Sequence, residues 1–331
     1  MKERNIVFDN IKGLMLFFVA FGHVLDVYCS SERNIVEYDI MKYIYLFHMP
    51  MFAFVTGYFS KNVEKSRDKA FKNILIPYLL FQGVYVLMAA VMIKLKLATF
   101  NADVFNYSII LPSSAFYYLL ATFFWKIFAK DIINIRWPIV VSIILGIVIS
   151  LTKSVEFHIG YGAVFTLLPF FVLGLKVSED WINKIRNVNK GLAIGVLLLG
   201  IIPAVFFPYA IHSIRFTYER QGFTNIVGIG WRLVYYVIAA VMCASIINLC
   251  PNKESIFSRI GKQSILVYAA STFLSPSLYV LIDRFTGIGQ YPVVNFIAMI
   301  CFSLGITVLA SMKWVKVIYD TIINTIYKIF I

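Results

Sequence analysis

Apolar runs close to twenty residues long recur from one end of the 331-residue chain to the other, and this recurrence limits the fold more than any other feature. A run of that length matches the ~30 Å of bilayer hydrocarbon, where each backbone group must find its partner within its own segment, so each run must be a helix. About ten such runs are predicted, at 7–28, 43–60, 73–93, 113–129, 137–151, 160–176, 190–208, 231–249, 264–282 and 291–312. The fifth and sixth are short for a bilayer. A chain that is 60% hydrophobic and 14% charged, with a mean hydropathy of +0.80, holds more apolar surface than a soluble core of its length buries. The sequence therefore predicts an all-α integral membrane protein with about ten transmembrane helices in one bundle.

The net charge of +13 is decided by where it sits. With the N-terminus in the cytoplasm, roughly two thirds of the 30 Lys and Arg fall on cytoplasmic loops and tails, as the positive-inside rule requires. Both termini are then expected in the cytoplasm and the protein in the cell membrane. Nucleic-acid binding is disfavoured, because the basic residues are scattered over short segments and not gathered on one face. No repeat, low-complexity tract or flexible linker divides 1–331, which predicts a single multi-pass domain. The N-terminal "MKERN" precedes an apolar core as in a signal peptide, but no small-x-small cleavage site follows "FGHVLDVYCSS", so this segment is expected to remain. Cys29, Cys243, Cys250 and Cys301 show neither CxxC nor Cys/His metal spacing and read as small buried apolar residues, with no metal expected.

The first span, "DNIKGLMLFFVAFGH" from Asp9 to His23, carries an acid, a lysine and a histidine. At 100° per residue Asp9, Lys12 and His23 share one face, and Lys12 and His23 stand about 16 Å apart along the axis. A polar stripe thus crosses most of the membrane. An ionisable group at that depth costs at least ~2.5–3.5 kcal/mol on insertion scales, so it is normally turned toward a cavity or a partner. His23 reads either as a packed histidine bonded to a neighbouring helix or as a functional group. Asp9 and Lys12 read either as an i, i+3 pair at the interface or as part of the same stripe. In "YLFHMPMFAFVTGYFS", Pro50 suits a first helical turn and places His48 at the helix mouth. His48 reads as an interfacial cap or as a second imidazole in one outer vestibule, where a pair of them suits acid–base work on a hydroxyl.

With these residues in view the chain resembles the acyltransferase 3 family of membrane carbohydrate O-acyltransferases, especially its fucose 4-O-acetylase-like branch. The resemblance rests on "FDNIKGLMLFFVAFGH" and "FHMPMFAFVTGYF", followed in order by "ILIPYLLF", "FYYLLATFFWKI", "LLPFFVLGLKV" and "IGKQSILVY". It implies a ten-helix bundle that moves an acetyl or other acyl group from acetyl-CoA, a cosubstrate at the cytoplasmic face, to a saccharide or polysaccharide hydroxyl. By position it implies that His23 is the essential histidine, with Lys12 in place of an arginine, Asp9 as the acid before it, and His48 as the histidine of the second motif. Lysine at 12 keeps the charge and loses the planar fork of arginine. Tyr117 stands where a tryptophan is common. Ala163 falls about where many relatives carry an arginine, so that contact is either absent or supplied by another residue such as Arg215.

On that reading His23 acts as general base or transient acyl carrier, and His48 orients the acceptor or stabilises the oxyanion. Lys12, Arg67, Lys69 and Lys72 are candidates for the anionic end of the donor, the last three reading more readily as ordinary positive-inside charge. The outer stretch with Tyr209, His212, Arg215, Tyr218, Glu219, Arg220 and Gln221 suits a sugar or an interfacial anchor. Polar groups along a bundle also suit a transporter or flippase for a lipid-linked saccharide, or a scaffold within a polysaccharide assembly. A transporter usually shows repeats or broken helices at the midplane.

Overall fold

The computed structural model of the protein describes residues 5–29, 35–94, 108–152, 161–206 and 216–330. Among these residues helices and turns account for the fold and no strand occurs. The helices are α1 (Ile6–Cys29), α2 (Ile35–Tyr45), α3 (His48–Phe59), α4 (Val63–Asp68), α5 (Ile76–Lys94), α6 (Tyr117–Asn134), α7 (Pro138–Val148), α8 (Tyr161–Thr166) and α9 (Leu168–Lys176). There follow α10 (Glu179–Asn187), α11 (Lys190–Leu199), α12 (Ile201–Phe206), α13 (Asn225–Leu249), α14 (Ile256–Gly261), α15 (Ser264–Ala269), α16 (Ser275–Thr286), α17 (Pro292–Ala310) and α18 (Lys313–Phe330). Two π-helical segments, Phe71–Leu75 and Ala270–Leu274, lead into α5 and link α15 to α16.

Among the described residues, four helical stretches are long and apolar enough to cross a membrane: Ile6–Asp26, Phe71–Lys94, Asn225–Leu249 and Pro292–Ala310. Two bent pairs bring that number to six if each counts as one span. Gly162–Lys176 turns by 99° into Glu179–Asn187, where Ser178 caps the new helix by accepting from the Trp181 amide. Ser264–Thr272 turns by 42° into Ser275–Thr286 across the second π segment, a recognised cause of kinks. Other expected spans are occupied by shorter apolar helices, Pro138–Leu151 and Lys190–Phe206. The expected span over 43–60 is interrupted at Leu46–Phe47, between α2 and α3. The α6 segment carries Lys126, Lys130 and Asp131, and that charge keeps its hydropathy low.

Helix α1 is the central strut. Two thirds of its apolar window (67%) is buried inside the protein against 28% for α17, and it packs on α2, α3, α14, α16 and α17. Lipid supplies no hydrophobic drive between helices, so close approach at small residues has to hold them. The glycines of the sequence stretches quoted above provide it in two reciprocal pairs. A Cβ on Gly13 would collide with the Phe257 carbonyl, and one on Gly261 with the Asp9 carbonyl, so α1 and α14 meet backbone to backbone. Gly57 faces the Phe171 carbonyl and Gly174 the Phe54 carbonyl in the same way, joining α3 to α9. Asn10, 2% exposed, reinforces the first contact by donating to the carbonyls of Pro251 (3.0 Å) and Lys253 (2.8 Å). The next residues are set by a capping box, in which Ser255 and Ser258 exchange side-chain and backbone bonds at the start of α14.

The cysteine expectation needs one correction. Cys243 and Cys250 are buried, but Cys301 is exposed on α17, because that helix is the least enclosed of the four long spans and its outward face needs only to be apolar.

Candidate active site

The stripe on α1 begins with an ion pair. Lys12 Nζ lies 2.7 Å from Asp9 Oδ1, and the ammonium also sits 5.2 Å from the centre of the Phe59 ring. Asp9 is 3% exposed. Its carboxylate is therefore a buried anchor that fixes where the Lys12 ammonium points. By helical rise Asp9 is about 21 Å from the level of His23, so it acts at the Lys12 end of the bundle.

Lys12 lines a cleft of about 190 Å³ walled by α1, α3, α6 and α15. Helical spacing builds each wall. On α3, Phe52, Thr56 and Phe59 face inward, and on α6, Tyr118, Thr122 and Lys126 do so at intervals of four. Thr56 Oγ1 and Tyr118 Oη are hydrogen-bonded at 2.8 Å. The rings of Phe52, Tyr118 and Tyr268 pack at centroid distances of 5.7–6.3 Å, and Tyr268 donates to the Ala115 carbonyl. The result is a narrow, aromatic-walled slot with two lysines at one end and hydroxyls along its length. Lys126, Thr56 and Tyr118 were not singled out from the sequence. The available signal was Lys126 itself, a cation within an otherwise apolar stretch.

At the far end of α1, His23 is half-buried. The preceding Gly22 leaves room for the Tyr45 ring, which a Cβ would strike. Tyr45 in turn lies 4.8 Å from the His48 ring, tilted by 31°. His48 is the first residue of α3, with Pro50 in the first turn. It is 6% exposed, and its Nδ1 is 2.9 Å from the Ile44 carbonyl. A carbonyl only accepts, so Nδ1 donates and the lone pair of the neutral ring resides on Nε2. Tyr45 thus stands between the Gly22–His23 turn of α1 and the His48 ring. The structure thus brings both histidines together at one end of the bundle and Lys12 at the other. Phe52, at the inner end of the slot, is one turn below His48 on the same face of α3, a rise of about 6 Å.

The remaining candidates divide. Arg67 and Lys69 are exposed and line neither this cleft nor its neighbour. Lys72 lines the neighbouring cleft, with its ammonium 4.6 Å from the Tyr327 ring centre. Arg215 lies outside the described residues, as do Tyr209 and His212. Ala163 is fully packed at 1% exposed. Among the described residues no group of three or more His, Cys, Asp or Glu is arranged to hold a metal ion.

A bundle of apolar helices, with an aromatic-walled cleft that is basic at one end and two histidines beyond the other, defines a polytopic membrane protein. The chain belongs to the acyltransferase 3 family: the family's model, described as an acyltransferase domain, matches residues 5–312. It is similar to the nodulation protein NolL of Sinorhizobium fredii (strain NBRC 101917 / NGR234), at 28% identity over 194 residues, covering 54% of this chain and 50% of that protein. It is also similar to the nodulation protein NolL of Mesorhizobium japonicum (strain LMG 29417 / CECT 9101 / MAFF 303099), at 23% identity over 240 residues, covering 66% and 61%. The chain spans 50–61% of the length of these curated relatives. No solved structure matches the chain.

Proposed function

We propose that this protein transfers an acetyl or related acyl group from acyl-CoA, bound from the cytoplasm, to a hydroxyl of a cell-surface or exported saccharide. The observation that carries the reading is the alignment along α1, α3 and α6 of the three parts such a transfer needs. A basic entrance at Lys12 and Lys126 suits the anionic donor, and a slot between aromatic rings suits its extended arm. The paired histidines one turn beyond the slot suit the reacting hydroxyl. The topology that fits is the ten-span bundle in the cell membrane with both termini cytoplasmic, in which short and bent helices complete the spans.

In the reaction His23 takes the proton of the acceptor hydroxyl as its oxygen attacks the thioester carbonyl. The carbon–oxygen bond forms, the carbon–sulfur bond breaks, and the proton passes from the imidazolium to the departing thiolate. His48, held by Ile44 with Nε2 as its open nitrogen, orients the acceptor through that lone pair. Asp9 positions Lys12 for the donor. Water must be kept out, since it would take the acyl group in place of the sugar. The aromatic and apolar walls of the slot serve that purpose.

The test is acyl transfer by purified full-length protein supplied with radiolabelled acetyl-CoA and cell-derived saccharide, paired with mass spectrometry of surface glycans from cells with and without the gene. An acyl-sized mass difference and label in the glycan are expected. Unlabelled glycan with no mass difference sinks the reading.

A further inference from the structure

A second cleft of about 450 Å³ adjoins the first, and the two share Ser264 and Ile265 as a common wall. Its other sides are the first π segment at Lys72 and Asn73, the α14–α15 corner at Lys262 and Gln263, and the face of α18 that carries Lys316, Tyr319, Asp320 and Asn324. Three lysines and one aspartate line it, a net positive charge. Helix α18 starts at Lys313, one residue past the last position the family model matches. This wall therefore lies just beyond the matched domain.

We propose that this cleft seats the phosphorylated nucleotide end of the acyl-CoA donor and that α18 is the element that completes it; the inference rests on the acyl-CoA reading above. The shared wall provides continuity, because a ligand whose thin thioester arm lies in the aromatic slot leaves its bulky anionic end at Ser264, where the wide basic cleft opens. The present partners of the lysines are weak ones. Lys262 pairs with Glu254 at 2.7 Å and Lys316 with Asp320 at 3.8 Å, with side chains 33–59% exposed, and exposed pairs exchange at little cost for a multiply charged phosphate. A neutral donor is also catered for. Gln263 gives its amide N–H to the Ser311 carbonyl at 2.7 Å, and its buried Oε1 has no hydrogen-bond partner, leaving an acceptor for an amino group such as that of adenine. Tyr319 is tied from behind by stacking on Phe81 at 5.9 Å and 5°, which fixes this wall to α5.

The experiment compares acetyl-CoA with S-acetylpantetheine, which has the arm and thioester but no nucleotide, on detergent-purified full-length protein. Lys262→Gln and Lys316→Gln are each expected to lower the ratio of kcat/KM for acetyl-CoA over S-acetylpantetheine by about tenfold, the size of one lost charge-assisted bond. Asp320→Asn removes the one acid of the lining and is expected to raise the same ratio, a gain that misfolding does not produce. Adenosine 3′,5′-bisphosphate should compete with acetyl-CoA, and phosphatidylglycerol vesicles should not. Ratios unchanged in all three variants, or competition by the vesicles alone, overturn the inference while acyl transfer by the wild type keeps the proposed function. A wild type that uses neither donor removes both.

Discussion

At the scale of single residues, what matters most is an imidazole on an apolar helix beside a second one held by a backbone carbonyl. His23→Ala removes the base while taking little volume from a half-buried site. Acyl transfer is expected to fall by about 10²–10⁴-fold, the usual worth of a positioned general base, with membrane insertion and yield unchanged. Retained turnover in that variant excludes His23 from the chemistry. His48→Asn keeps a donor toward Ile44 but loses the ring nitrogen aimed elsewhere, so kcat should drop with the donor KM little altered; a pure KM effect argues against its placement at the acceptor. The stripe of Asp9, Lys12 and His23 was legible because a helix repeats at 3.6 residues and polar groups stand out against lipid-facing sequence. Lys126 was not, because a lysine near the end of an apolar run looks the same whether it marks topology or lines a slot. Thr56 and Tyr118 gained meaning only from their mutual bond across α3 and α6, an adjacency that no local pattern encodes.

At the scale of elements, the reciprocal glycine contacts decide how helices meet. Gly57→Ala and Gly174→Ala each force the α3 and α9 backbones apart, and overpacking of this kind costs about 1–3 kcal/mol. Thermal unfolding in detergent should show a clear loss for each. Both substitutions wedge the same contact, so the double mutant should lose less than the sum; strict additivity would show that the two glycines act separately. A surface contrast comes from α4 and α6, linked by Glu64 and Lys130 at 2.8 Å. The hydrogen bond and charge of Lys130 hold the Glu64 carboxyl below its ordinary value. A depressed carboxyl stabilises above its unfolded pKa of 4.5 and loses that contribution as pH falls through the folded value. Lys130→Met should therefore lower the melting temperature slightly near neutrality, and the difference should close in more acidic solution; a difference that widens there contradicts the assignment. The existence of most apolar helices was readable from hydropathy. Their breaks at Leu46–Phe47, at the 99° turn before α10 and at the second π segment were not, because tertiary packing and caps set such turns while the apolar pattern runs straight through them.

At the scale of the whole molecule, the helix that carries the stripe is also the most enclosed of the four long spans, so Lys12 and His23 are held on the part least able to shift. Cysteine-accessibility mapping tests the orientation this implies. Single cysteines placed at Lys69 and Lys190 in a background lacking the native thiols should be labelled from the cytoplasmic side only, and labelling from outside would invert the bundle. The glycine contacts have one more effect. Both walls on the α1–α3 side of the slot are fastened to other helices through their own backbones, at Gly13 and Gly57, while the opposite walls on α6 and α15 have no such rivet among the described glycines. On the donor reading, a guest wider than the resting gap is then expected to work like one between a fixed and a sliding jaw, displacing Tyr118 and Tyr268 and leaving Lys12 and Thr56 in place. Amide exchange that quickens in α1 and α3, in place of α6 and α15, when donor is added would show the jaws to be the other way round.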